Sequence, residues 1–193
     1  MSTILQTSFS RRNALRMGGM GTLSAAAMGL LGGVHVAQAA DSMAAGDVSI
    51  LNVALGLEYE AIAAYQIGAE SKLLSPGTLK VAVGFQSQHK EHRDALIATI
   101  QKLGGKPASA KRQKDYGKDL NVETLKSEAD VLNLAKKLEI GAANAYIGVI
   151  PSFQDKMLAQ ISARLAADET MHWTVLAQAT GEMLPAKALT FGA

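Results

Sequence analysis

The chain has 193 residues, no cysteine, and 19 basic against 17 acidic side chains, with 48% hydrophobic residues. The lack of cysteine excludes disulfides, thiolate metal sites, cysteine nucleophiles and lipid attachment at cysteine. The near balance of charge points to no nucleic-acid partner, and the length suits a single domain behind a short leader.

The chain begins with paired Arg11 and Arg12, then an uncharged run from Met17 to Ala40 that ends in the small-residue site Ala37-Gln38-Ala39. This is the pattern of an export signal. The box "SRRNAL" with its Gly-rich continuation looks like a twin-arginine signal, although Ala14 stands where such signals usually carry Phe. The expected mature domain is 40–193, in the periplasm; retention of the run as a membrane anchor is the alternative, since it is long enough to span a bilayer. Removing residues 1–39 takes away three arginines and no acid, leaving 16 basic against 17 acidic side chains. Resemblance to twin-arginine substrates also implies export of a folded, often cofactor-loaded protein.

Helical periodicity without strand-like alternation predicts an all-α domain with four long helices, near 48–71, 76–103, 128–150 and 152–180. Its punctuation is Ser75-Pro76, Gly104-Gly105, Pro151 and Gly181. On the first helix the apolar stripe Leu51, Leu55, Ile62, Tyr65 has Glu58 in its middle. The second carries His89 and His92 between Phe85, Leu96 and Leu103. A long polar, basic segment, "KPASAKRQKDYGKDLNVETLKSEAD", follows and reads as a solvated connection. A helix of about 28 residues rises roughly 42 Å, so this segment is long enough to run back along one. The third helix places Glu139 among Leu132, Ala135, Ala142 and Tyr146; the fourth places Glu169 and His172 among Leu158, Leu165 and Leu176. Short links make two antiparallel hairpins joined by one long crossover, a four-helix bundle.

Three carboxylates and three imidazoles thus sit at mid-length on apolar faces. An unpaired buried carboxylate costs a large part of a domain's stability of ~5–15 kcal/mol, so these groups must protonate, pair or bind a cation. Oxygen and nitrogen donors without thiolate suit iron, manganese or zinc, and the i, i+3 spacing lets two ligands from one helix converge. A buried ion-pair cluster without metal is the plainer alternative. The chain also repeats: "LEYEAIAAY" (57–65) matches "LEIGAANAY" (138–146), and "HKEHRDAL" (89–96) matches "ETMHWTVL" (169–176) at histidine and the final leucine. Two hairpins of one design would set two half-sites against each other.

A glutamate on one helix and Glu-x-x-His on the next, done twice, resembles the ferritin-like di-iron and di-manganese carboxylate proteins, a pattern described in general terms for that superfamily. Over about residues 48–180 the chain is similar to exported bacterial ferritin-like proteins. The resemblance implies metal ligands at Glu58, His92, Glu139, Glu169 and His172, with Tyr65 and Tyr146 beside them. It departs at position 89, where the pattern expects a glutamate, commonly one that bridges two metals, and this chain has histidine. Glu91 does not compensate, because two residues turn a helix by about 200°. With His89 the centre could be an asymmetric di-metal site or a single-metal site, and imidazole shifts preference toward zinc or copper.

Around these residues Gln88 reads as a surface amide or as a partner orienting His89, and Trp173 as packing. Glu60, Glu91 and Asp168 read as solvated. The resemblance implies reaction with oxygen or peroxide; the residues leave the oligomeric state open, a dimer being one plausible assembly. A metal-binding protein with little turnover, and a structural or partner-binding bundle, remain the competing classes.

Overall fold

The computed structural model describes residues 39–192, with side chains from Ala44 onward; the leader expected at 1–39 lies almost wholly outside the described residues. Among these residues there are five α-helices and no strand: α1 (Ala39–Glu70), α2 (Pro76–Lys102), α3 (Gln113–Asp119), α4 (Glu128–Val149) and α5 (Lys156–Ala179).

Local chemistry sets most of the ends. Ser75 caps α2, its hydroxyl accepting from the Thr78 amide, and Pro76 occupies the first turn, where no donor is needed. Ser127 caps α4 by accepting from Asp130 N at 3.2 Å. Helix α2 stops at Gly104, which takes φ +76°, and Gly105 follows against Val48, where a Cβ would lie 2.5 Å from Val48 Cγ1. At the end of α5, Gly181 takes φ +72° and Glu182 N returns to Ala177 O at 2.8 Å, a Schellman closure.

Two helix starts and the crossover differ from expectation. Helix α1 begins at Ala39 rather than near 48, because the alanine-rich stretch before Asp47 sustains the helix. Helix α5 begins at Lys156 rather than 152. Pro151 sits in a 3-10 turn, Ile150–Ser152, and Asp155 caps the helix by accepting from Met157 N at 2.8 Å. Buried Asp47 fixes this turn across the fold, accepting from Gln154 N at 3.0 Å and Asp155 N at 3.2 Å. The crossover is also not simply a solvated loop, since it contains α3 and a 3-10 turn at Val122–Thr124. Tyr116 anchors it, with 5% of its surface exposed.

The long helices run antiparallel to each neighbour. Gln86 Nε2 donates to Ile62 O, Ser162 Oγ donates to Tyr146 O, and Tyr65 of α1 reaches Glu139 of α4. The crossover tracks α1 from Asn52 to its C-terminal end: Asn52 Nδ2 donates to Lys106 O, Tyr59 Oη to Ala108 O, and Gln113 Nε2 to Glu70 Oε2. The tail after Gly181 folds back so that Phe191 meets the Trp173 ring edge-on at 5.2 Å, which gives the lone tryptophan its packing role.

A solid core of Leu51, Leu55, Leu96, Ile100, Tyr146, Leu158 and Leu165 fills one half of the molecule. Ile100, fully buried, joins the α2 stripe; Leu103, which caps the helix, is half-buried and packs against the same core. Glutamates and histidines form a charged layer at the inner edge of this core.

Candidate metal centre

The fold brings all six expected side chains into one buried cluster. Glu58, His89, Glu139, Glu169 and His172 are each 2% exposed or less, and His92 is 8% exposed. Helical period explains the convergence. Glu58 lies between Leu55 and Ile62 on α1, and His89, His92 and Leu96 share one face of α2, so burying the apolar stripe buries the polar residues with it.

His89 lies at the centre. Its Nδ1 is 2.8 Å from Glu58 Oε2 and its Nε2 is 3.2 Å from Glu139 Oε1, so each ring nitrogen faces a glutamate of a different hairpin. Glu169 spans the same two directions, with Oε1 at 3.1 Å from His92 Nδ1 and Oε2 at 3.1 Å from His172 Nδ1. Two overlapping quartets result: Glu58, His89, His92, Glu169 and His89, Glu139, Glu169, His172, each with donor atoms within 4.8 Å of one another. His89 and Glu169 belong to both.

The tyrosines cross between hairpins. Tyr65 Oη donates to Glu139 Oε1, and Tyr146 Oη donates to Glu58 Oε1. Each tyrosine therefore holds the glutamate of the opposite repeat rather than the one seven residues before it in its own helix.

The same reciprocity holds at the outer imidazole nitrogens. Asp168 Oδ2 lies 3.2 Å from His92 Nε2, and Gln88 Oε1 accepts from His172 Nε2. Sequence reasoning missed both contacts. Asp168 keeps 43% of its side chain in solvent, as expected, yet also pairs with His92, and Gln88 is the exposed amide expected, with His172 rather than His89 as its partner. The signal was present in the repeat, because 88 and 168 are equivalent positions. Glu60 is a further correction: expected in solvent, it is only 5% exposed.

Electrostatics show how the cluster is compensated. Burial pushes the Glu58 carboxyl up, but hydrogen bonds from His89 and His92 more than reverse this and hold it at about 2. Glu139 is likewise lowered, by His172 and His89 acting against burial. Glu169 goes the other way, raised by burial. Burial opposes the charge on the imidazoles, yet their carboxylate neighbours raise all three, His92 to about 10. Burial and Glu139 raise the Tyr65 phenol, and burial and Glu58 raise that of Tyr146, so both remain protonated donors. Protons on the imidazoles thus do what a cation would do. The balance is incomplete: Glu139 Oε2 is the one buried side-chain polar atom among the described residues that has no hydrogen bond, although His172 Nδ1 lies 3.4 Å away. An orphaned carboxylate oxygen within an oxygen and nitrogen donor set fits a divalent cation.

Comparison with known proteins agrees with the geometry. Residues 46–182 match the model of the ferritin-like domain, and the chain belongs to that family. Its fold is similar to the crystal structure of a conserved hypothetical protein, rv2844, from Mycobacterium tuberculosis, with a TM-score of 0.63 at 23% sequence identity. That match covers 75% of this chain and 97% of the other. A comparison with curated proteins finds no match.

Proposed function

We propose that this is an exported ferritin-like metal-binding protein whose four long helices form a bundle around a di-metal centre of iron or manganese. The observation that carries this reading is the pair of overlapping buried quartets. Glu58 and His92 would hold one ion, Glu139 and His172 the other. Glu169 offers one carboxylate oxygen to each half, and His89 one ring nitrogen to each. Tyr146 and Tyr65 fix the terminal glutamates by hydrogen bonds, while Asp168 and Gln88 fix the outer nitrogens of the terminal histidines, leaving Nδ1 turned inward. When bound, iron or manganese would supply one-electron exchange with oxygen or peroxide. The protein's own part is to exclude water, keep both phenols protonated and hold the ligand atoms in register. Histidine at 89 in place of a carboxylate leaves zinc and copper as competing occupants.

The N-terminal leader supports twin-arginine export and a periplasmic mature domain of residues 40–193, which N-terminal sequencing of the exported protein tests. Metal analysis of the same material tests the centre. Two equivalents of iron or manganese, lost in His89→Ala and Glu139→Ala, are expected; correctly folded wild type that takes up no metal overturns the reading. Peroxide consumption by the loaded protein separates an oxidoreductase from a binding protein. One observation favours a second reading, a structural bundle without metal chemistry: the six side chains already satisfy nearly all of one another's hydrogen bonds.

A further inference from the structure

The charged layer divides the interior unequally. On the side of Leu55 and Ile100 the core is packed, whereas on the other side the four long helices and the crossover line a pocket of about 360 Å³ that opens to solvent at one end. Native interiors rarely leave voids much larger than a water molecule. An apolar cavity of about 150 Å³ already binds benzene, so one more than twice that size is a ligand-sized space.

The walls define what would fit. Tyr65, Phe85, Val131, Leu132, Ala135 and Leu176 are typical of the lining, and Tyr65 is its only titratable group. Its hydroxyl is engaged by Glu139. At the mouth, the Ser75 hydroxyl donates to Glu128 Oε1 at 2.9 Å and also pairs with Thr78, so these polar groups are already partnered. An anionic ligand would find no counter-charge here, since the nearest charge is the Glu128 carboxylate at the mouth, and burying an anion without a partner is costly. Val81 and Val175, 40% and 44% exposed, form an apolar rim.

Two wall residues also touch the glutamate and histidine cluster. Phe85 stacks on His172 with ring centroids 4.1 Å apart, and Tyr65 lies 5.4 Å from His89 between ring centroids. A molecule in the cavity would thus be one aromatic layer from the centre.

We propose that this cavity is a binding site for a small, uncharged, apolar organic molecule of about the size of a substituted benzene. Such a molecule is also the class of reactant the centre would meet, a consequence that rests on the metal reading above; binding itself does not.

Toluene and benzoate, alike in ring and different in charge, are the probes, titrated by NMR into metal-free and manganese-loaded protein. Toluene is expected to saturate one site in both forms, with benzoate at least tenfold weaker. Ala135→Phe, which fills the cavity, should weaken toluene at least tenfold while leaving metal uptake unchanged. Ala82→Phe fills the space from α2 and serves if the first variant does not fold. In manganese-loaded protein the bound toluene protons should relax faster. Absence of saturable toluene binding to folded wild type overturns the proposal. So does benzoate binding as tightly as toluene, toluene binding indifferent to whichever filling variant folds, or a filling variant that turns a dimer into a monomer without any toluene binding in wild type. Toluene binding in a protein that takes up no metal leaves the cavity standing and sinks the metal reading.

Discussion

His89 sets the balance of the cluster because its two ring nitrogens face glutamates of different hairpins, Glu58 at 2.8 Å and Glu139 at 3.2 Å. In metal-free protein its proton offsets two carboxylates, so His89→Glu would place a fourth carboxylate among three. Removing one partner of a buried ion pair costs about 3–5 kcal/mol, and that loss is expected in the metal-free variant. Metal should recover more stability in the variant than in wild type, because a second two-ended carboxylate favours cations. Urea unfolding with and without manganese measures both, and unchanged metal-free stability would exclude the central role of His89. The tyrosine hydroxyls are tested separately. Tyr65→Phe and Tyr146→Phe each delete a hydrogen bond to a buried carboxylate, worth about 1.5–3 kcal/mol. Similar losses in the two variants are expected from their equivalent places in the repeat. A loss confined to one would show that the half-sites differ in strength.

At the scale of elements, the caps and breakers act where the sequence placed them, and the exceptions arise from long-range contacts. Ser75, Gly104 and Gly181 set helix ends through atoms within a few residues, so their roles were legible. The start of α5 was not, because buried Asp47, more than a hundred residues away, holds the preceding turn. Asp47→Ala leaves two amides without their acceptor and should cost about 1–3 kcal/mol by thermal unfolding, against about 1 kcal/mol for loss of the local cap in Asp155→Ala. Equal effects would mean that the long-range contact adds nothing. Helix α3 was hidden for a similar reason, since seven mostly polar residues with balanced charge show little periodicity and gain stability from Tyr116 buried against the rest of the fold.

For the whole molecule the cluster makes stability depend on pH in opposite directions with and without metal. His92 has its pKa raised to about 10 from an ordinary 6.5; its contribution is complete below pH 6.5 and is lost as the pH rises toward 10. Glu58 is held at about 2 against an ordinary 4.5; its contribution is complete above pH 4.5 and is lost as the pH falls toward 2. Metal-free protein should therefore be most stable between about pH 4.5 and 6.5 and weaken toward pH 9. Metal affinity should rise over that same alkaline range, since metal displaces the imidazole protons. Unfolding midpoints measured across pH in chelator, then in manganese, check the two slopes; a flat metal-free profile from pH 6 to 9 would refute the protonated cluster.

The sequence by itself determined the helical class, the four long helices and the six polar residues on their inner faces. Those features follow from a 3.6-residue period and from the cost of burying charge, both of which are local to the chain. Only the tertiary structure decided that each tyrosine serves the opposite repeat, that Asp168 and Gln88 hold the outer imidazole nitrogens, and that Glu60 is buried. Only it showed the interior packed on one side of the charged layer and open to an apolar pocket on the other. Periodicity assigns a residue to a face, but partners and empty space depend on how four faces meet, and that is set by the volumes of side chains far apart in the chain.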